Sequence, residues 1–279
     1  MPLLHSISEV RAAIRQARLA GRTVGLVPTM GALHEGHLSL LAAARERGDF
    51  LVVSIFVNPT QFSPREDFTT YPRTLEADVE ACRAAGGDLV FAPSVEEMYP
   101  AGFCTTVRVQ GLTEGLCGRF RPGHFDGVTT VVCKLLDIVQ PDRAYFGLKD
   151  YQQFVVLRRM VLDLDLPVEM VPCPTVREAD GLAMSSRNRH LTPEQRRVAP
   201  RLHQALQAGS EVLRQGGTGE QAIAAVQEFL SKEPEFRVQY IEAVNPETLE
   251  PRLQTGRPVV LAVAAYLGET RLIDNLRVD

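Results

Sequence analysis

Apolar residues recur along this chain in two rhythms, and the switches between them predict the elements. Over residues 7–20 (ISEVRAAIRQARLA) the spacing is helical, with Ser6 or Ser8 placed to cap the first turn and Gly21 to end the helix. A short apolar run at 23–27 stops at Pro28, the pattern of a buried strand. Gly31 and Gly36 bracket the turn that follows. From His37 the leucines Leu38, Leu40 and Leu41 begin a second helix, which runs to about Arg47. Residues 50–57 (FLVVSIFV) are apolar without a break, as expected of a parallel strand covered on both faces. They empty into the turn-forming Asn58-Pro59-Thr60-Gln61-Phe62. Residues 67–73 read as irregular, 75–85 as a helix ended by Gly86-Gly87, and 89–92 as another short strand. This β-α-β-α-β alternation predicts a parallel sheet with right-handed crossovers.

Beyond it, 105–109 alternates like an edge strand, and 118–127 reads as a loop dense in glycine and cations. A helix at 128–139, a strand at 144–147, a helix at 150–162 started by Asp150 and a strand at 168–173 follow. Near residue 175 the character changes. Residues 176–189 (VREADGLAMSSRNR) form a polar loop, 193–214 and 220–231 read as helical, and 236–244, 259–266 and 270–276 as strands. The last two strands suit a hairpin through Gly268-Glu269. The expectation is therefore an α/β fold: a Rossmann-like parallel-sheet domain over 1–175, and a smaller C-terminal α+β lid domain over 176–279. Ligands of open parallel sheets collect at the carboxyl ends of strands. Three unusual segments fall there, after Val27, after Val57 and after Phe146.

Composition narrows the picture. A net charge of −4 leaves no broad electrostatic footprint for nucleic acid. No apolar run reaches the roughly 18 residues of a membrane span, and no leader pattern opens the chain, so the expected setting is cytoplasmic. The cysteines (Cys82, Cys104, Cys117, Cys133, Cys173) are far apart and read as buried small residues rather than a disulfide or zinc framework. Lysine occurs only at Lys134, Lys149 and Lys232. A chain that otherwise uses arginine yet keeps a lysine can need a compact point charge there.

His34 and His37 lie one helical turn apart where a strand passes into a helix. Both imidazoles can then face the same side of a helix N-terminus, whose unpaired N–H groups favour anions. A metal pair and two inconsequential surface histidines are the competing readings; the spacing is not that of HExxH. The HxGH pattern resembles the signature of the nucleotidylyltransferase superfamily, in which such histidines bond ATP phosphates.

A longer series carries a narrower resemblance. Pro28 to His37 (PTMGALHEGH), Asn58-Pro59-Thr60-Gln61-Phe62, Tyr71-Pro72-Arg73-Thr74, Arg121-Pro122-Gly123-His124-Phe125, Phe146 to Gln153 (FGLKDYQQ) and Met184-Ser185-Ser186-Arg187-Asn188 occur in this order. Together they resemble the pantoate–β-alanine ligase family over essentially the whole chain. The resemblance implies a two-step reaction: ATP and pantoate form an enzyme-bound pantoyl adenylate and pyrophosphate, and β-alanine then displaces AMP. It implies that His34, His37, Lys149, Ser185, Ser186 and Arg187 serve the adenylation. Pro28, Thr29, Met30, Gly147, Asp150 and Met184 would join them around ATP. Gln61, Gln153, Asn58, Arg121 and His124 would border pantoate and β-alanine. It further implies Mg²⁺ bridging phosphate oxygens with Asp78 as its carboxylate, and a homodimer. As single residues, Gln61 and Gln153 read as surface amides, Asn58 as a turn-former, Asp150 as a helix cap, Met184 as core filler, and Asp78 as one side of a solvated helix.

Overall fold

The computed structural model describes residues 1–63, 68–256 and 258–279; Asp67, the first residue of the expected irregular stretch, lies outside them. The chain folds as two compact units. The first comprises Met1–Gln110, Arg121–Leu148 and Val156–Pro174, the second Gly111–Phe120, Lys149–Val155 and Thr175–Asp279.

The first unit is built on strands β1 (Leu3–Leu4), β2 (Val24–Thr29), β3 (Phe50–Ile55), β4 (Leu89–Phe91), β5 (Arg143–Gly147) and β6 (Glu169–Cys173). They form one parallel sheet in the order β1-β4-β3-β2-β5-β6. From β2 the chain steps outward through β3 and β4, then returns to place β5 on the other side of β2. That reversal is the topological switch point at which open α/β sheets hold ligands.

The helices of this unit follow from the pattern. α1 (Ile7–Leu19) starts at Ser6, whose hydroxyl accepts the Glu9 N–H while Glu9 reaches back to the Ser6 N–H. α2 (Glu35–Glu46) buries Leu40, Leu41 and Ala44 against Val27, Leu51 and Val53 of the sheet. Each fully buried leucine there contributes about 1.5–3 kcal/mol relative to exposure. α3 (Leu75–Ala84) and the short α4 (Val95–Met98) flank β4 in the sequence.

Four expectations need correction over residues 23–139. β2 does not stop at Pro28 but pairs through Pro28↔Ser54 to Thr29↔Ile55. Its pairing with β5 covers only Gly25 and Leu26, so at Pro28 that side of the strand asks for no N–H. The edge strand at 105–109 does not form. Instead the Val107 N–H donates to Thr130 Oγ1, and Thr129 Oγ1 donates to the Val107 carbonyl. The loop at 118–127 is mostly helix: α5 (Leu116–Phe120) fills its start, and α6 (His124–Val139) begins four residues earlier than the apolar pattern suggests. Cys104 is exposed, whereas Cys82 and Cys173 are buried.

In the second unit, β7 (Phe236–Val244), β8 (Val259–Leu267) and β9 (Thr270–Val278) form an antiparallel sheet, with the expected hairpin between β8 and β9. α8 (Pro193–Val198) and α9 (Arg201–Arg214) divide the expected 193–214 helix at Ala199-Pro200. α9 and α10 (Gly219–Ser231) pack Leu202, Leu206, Val226 and Leu230 on one sheet face, against Leu261 and Val263. Leu116, Val155 and Leu249 cover the opposite face at Val260 and Ala262. Coverage on both sides explains why β8 reads as an unbroken apolar run. α7 (Tyr151–Asp163) follows β5 through a 3₁₀ turn, Leu148–Asp150, so Asp150 lies in that turn just ahead of the helix.

Candidate active site

The turn between β2 and α2 is held by a single carboxylate. Asp78 is buried, and its Oδ2 accepts the Ala32 N–H (2.9 Å) and the Thr74 hydroxyl (3.1 Å) while Oδ1 accepts the Leu33 N–H (2.8 Å). A carboxylate committed to three donors inside the protein is a loop anchor. The expectation of a metal carboxylate at Asp78 meets a side chain whose two oxygens already accept these three bonds. Gly31 has φ +80° and a Cβ there would sit 2.9 Å from Asp78 Oδ2, so both backbone and space require glycine. On the strand side, Thr29 Oγ1 donates to the Ser54 carbonyl and accepts the Gly31 N–H.

This pinned turn delivers His34 as the N-cap of α2. His34 Nδ1 accepts the Gly36 N–H at 3.1 Å, and His37 Nδ1 accepts the His34 N–H at 3.3 Å. The two imidazoles form a capping box, a role usually taken by Ser or Thr with Glu or Gln. A ring nitrogen that accepts an N–H carries no proton, so the bonding pattern assigns both rings as neutral with the proton on Nε2. The ring centroids lie 4.1 Å apart. Two Nε2–H donors are thereby set side by side at the positive end of a helix. The two side chains are thus part of the helix N-terminus and not free surface groups.

A second cluster joins this one through Gln61, whose Nε2 lies 3.0 Å from Met30 Sδ. Asn58 is buried and saturated. Its Nδ2 donates to Gln61 Oε1 and the Gly127 carbonyl, and its Oδ1 accepts from Tyr99 OH (2.8 Å), Thr60 Oγ1 and Thr60 N. Asn58 thus holds Gln61 in place through its own hydrogen bonds. A Cβ on Gly127 would collide with the Thr60 carbonyl, which explains a glycine inside α6. The Gln61 carbonyl accepts from His124 Nδ1 (2.8 Å) and Arg121 Nη2 (3.3 Å), and Arg121 Nη1 meets His124 Nε2 at 3.0 Å. His124 is therefore neutral here, its Nε2 lone pair facing the guanidinium. Sequence reasoning missed Tyr99, whose phenol burial pushes toward higher pKa. Nothing in a lone tyrosine outside every motif could have marked it.

In the second unit, Lys149 Nζ lies 3.8 Å from Asp150 Oδ2, and the Lys149 carbonyl accepts Asn275 Nδ2 at 2.9 Å. The adjacent glutamines differ sharply. Gln152 is buried and bonds Leu112 O, Gly115 O and Cys117 N, fixing the segment around α5. Gln153 is half-buried, and among the described residues no side-chain hydrogen bond ties it down. Residues 176–184 close into a small hairpin through the Arg177↔Ala183 bridge and the Met184 N–H to Val176 carbonyl bond. Met184 leaves it directly into Ser185, which caps the 3₁₀ turn Ser186–His190 by accepting the Arg187 N–H. Asn188 Nδ2 ties that turn back to the Ala183 carbonyl and Glu178. At Gly147, the end of β5, a Cβ would meet nothing within 4 Å.

A parallel sheet with a switch point at β2 and paired imidazoles at the N-terminus of the following helix defines an α/β protein of Rossmann-like fold. The model of the pantoate-beta-alanine ligase family matches residues 2–277, and the chain belongs to that family. It is 58% identical over 280 residues to a pantothenate synthetase of Moorella thermoacetica, covering 99% of this chain and 98% of that protein. The crystal structure of pantothenate synthetase from Thermus thermophilus superposes with a TM-score of 0.94 at 53% identity, over 99% of each chain. A pantoate-beta-alanine ligase from Francisella tularensis, complexed with beta-gamma ATP and beta-alanine, superposes with a TM-score of 0.81 at 35% identity, over 99% of this chain and 97% of that one.

Proposed function

We propose that this chain condenses pantoate with β-alanine through an enzyme-bound pantoyl adenylate. In the first step a pantoate carboxylate oxygen bonds to the α-phosphorus of ATP and the bond to pyrophosphate breaks. In the second the β-alanine amine attacks the acyl carbon, AMP leaves with the bonding electrons, and the nitrogen loses a proton. A free carboxylate has no leaving group, and adenylation supplies one. The attack on phosphorus requires in-line placement and charge neutralisation more than proton transfer.

His34 and His37 donate their Nε2–H groups to phosphate oxygens. Lys149 adds a point charge, and Ser185, Ser186 and Arg187 further donors. Pro28, Thr29 and Met30 border the nucleotide, Gly147 and Asp150 its ribose, and Met184 its base. Gln61 and Gln153 hold pantoate by amide donors that add no charge. Arg121 and His124 brace the Gln61 backbone at the pantoate and β-alanine end. The residues present do not fit a resident metal: Asp78 is bonded out, and the described residues contain no group of three or more His, Cys, Asp or Glu able to hold one. Mg²⁺ belongs to this reading as part of the nucleotide substrate, bound chiefly by phosphate oxygens. No helix is long and apolar enough to cross a membrane. The use of ATP favours the cytoplasm as the site of reaction, and the family resemblance favours a homodimer.

The observation that carries this reading is the double Nδ1 capping that turns both imidazoles into Nε2–H donors. Pyrophosphate release from ATP tests it. Release that requires pantoate but not β-alanine, followed by AMP and pantothenate once β-alanine is added, is the expected result. Release indifferent to both small molecules, or none at all, would overturn it.

A further inference from the structure

Neighbouring residues of a strand point to opposite faces of the sheet, and at the middle of β9 both faces are put to use. Asp274 is 4% exposed and receives the Arg177 guanidinium through two bonds, at 2.7 and 2.9 Å. Such a fork fixes orientation as well as distance. The same guanidinium donates to the Gly181 carbonyl at 3.1 Å, inside the 176–184 hairpin, and Arg177 bridges Ala183 across it. His203 stands behind Asp274, with Nδ1 3.4 Å from Oδ2. The next residue, Asn275, sends Nδ2 to the Lys149 carbonyl at 2.9 Å.

The two segments reached in this way are short and locally weak. Lys149 lies in a three-residue 3₁₀ turn, whose own hydrogen bonds have poor geometry. Its ammonium rides on a flexible four-carbon stem, so the position of the backbone sets where that charge can go. The hairpin ends at Met184, directly before Ser185. The turn carrying Lys149 is joined to β5 on one side and α7 on the other, and the hairpin is also held by Arg196 through Glu178 and Asp180; the β9 contacts add a common anchor to both.

We infer that Asp274 and Asn275 are positioning residues for adenylation: a single strand fixes the Lys149 backbone through Asn275 and, through Asp274 and Arg177, the hairpin that presents residues 185–187. The inference rests on the proposed roles of Lys149 and the serine turn. Neither residue needs to touch a substrate. Their effect is geometric, and a displacement of about 1 Å in a reacting array lowers the rate on the order of 100-fold.

The test is a double-mutant cycle on the full chain, read as pyrophosphate release from ATP and pantoate. Asn275→Ala is expected to lower the adenylation kcat by about 10- to 100-fold with the pantoate KM unchanged. Asn275→Gln, which keeps a donor, is expected to recover part of the loss. In a Lys149→Ala background, Asn275→Ala is expected to cause no further loss, because its effect passes through Lys149. Asp274→Asn is expected to behave likewise against Arg187→Ala. Should Asn275→Ala prove unfolded, Asn275→Asp takes its place, equal in shape but without the donor. Parent-like turnover of the folded variant, or a loss that multiplies in full with Lys149→Ala, would overturn the inference. A parent enzyme that releases no pyrophosphate with pantoate would instead remove the functional reading beneath it.

Discussion

His37 Nδ1 accepts the backbone N–H of His34, so the second histidine of HEGH locks the first residue of its own turn while its Nε2–H points away. On the proposed function, fold and chemistry use opposite nitrogens of each ring, and substitution can separate them. Asparagine is a strong N-cap and supplies an acceptor near the position of Nδ1, but it has nothing at Nε2. His34→Asn is expected to retain thermal stability and to lose about 10²- to 10³-fold in adenylation rate, or roughly 2.7–4 kcal/mol of transition-state stabilisation. His34→Ala is expected to lose a similar rate and also about 1 kcal/mol of stability with the cap. Stopped-flow pyrophosphate release and thermal melts check both variants. An active His34→Asn enzyme would remove the imidazole from the chemistry.

The loop-anchor assignment of Asp78 has its own consequence. Asp78→Asn exchanges one acceptor oxygen for an amide that must face the Ala32 or Leu33 N–H. Leaving such a buried N–H unpaired costs about 1–3 kcal/mol. The expected variant melts earlier and binds nucleotide more weakly, with the Mg²⁺ concentration for half-maximal rate unchanged. A displaced Mg²⁺ dependence at unaltered stability would restore Asp78 as a metal carboxylate.

Asn58 and Gln153 are expected to part company under alanine substitution. Gln153→Ala should raise the pantoate KM while leaving the ATP KM and the melting temperature alone, since no side-chain bond fixes Gln153 among the described residues. Asn58→Ala removes one bond each from the Tyr99 hydroxyl and the Gly127 carbonyl and releases Gln61. It should weaken pantoate and also destabilise the fold, by about 1–3 kcal/mol for each buried group left unpaired. Equal losses for ATP and pantoate in Gln153→Ala would contradict its assignment.

Acid stability reports on Asp274. Burial opposes its ionisation, and the pull of His203 and the Arg177 fork outweighs burial, holding the carboxyl below its ordinary range. A depressed carboxyl contributes stability that is fully present above its unfolded pKa near 3.9 and is lost as pH falls through the lower folded value. Asp274→Asn is expected to be less stable than the parent at neutral pH, with the gap narrowing below about pH 4. Urea midpoints measured from pH 7 to pH 3 would show it, and a gap that widens toward acid would refute the assignment.

Much of the architecture could be read from apolar rhythm. The unbroken runs of β3 and β8 mark strands covered on both faces, and Ser6 and Gly21 bound α1. What the pattern missed lies where side chains take over backbone hydrogen bonding. Residues 105–109 alternate like a strand, yet Thr129 and Thr130 claim the Val107 peptide. α6 begins at His124 behind a left-handed Gly123 (φ +78°), in a stretch that reads as loop because its first turn is rich in charge and glycine. Motif order named both histidines, Lys149 and the serine turn as candidates, and their roles rest on the proposed function. It did not separate Gln61 from Asn58, whose many buried hydrogen bonds reach partners up to 69 residues away; it did choose Gln153 over the buried Gln152. Tyr99, Asp274 and Asn275 belong to no motif.

The most direct measurement is the ¹⁵N spectrum of imidazole-labelled enzyme near neutral pH, with His34 and His37 assigned by substitution. The expected spectrum has both Nδ1 atoms as unprotonated acceptors and both Nε2 atoms protonated, with addition of ATP shifting the two Nε2–H resonances. A proton on either Nδ1, or Nε2–H resonances indifferent to ATP, would contradict the account.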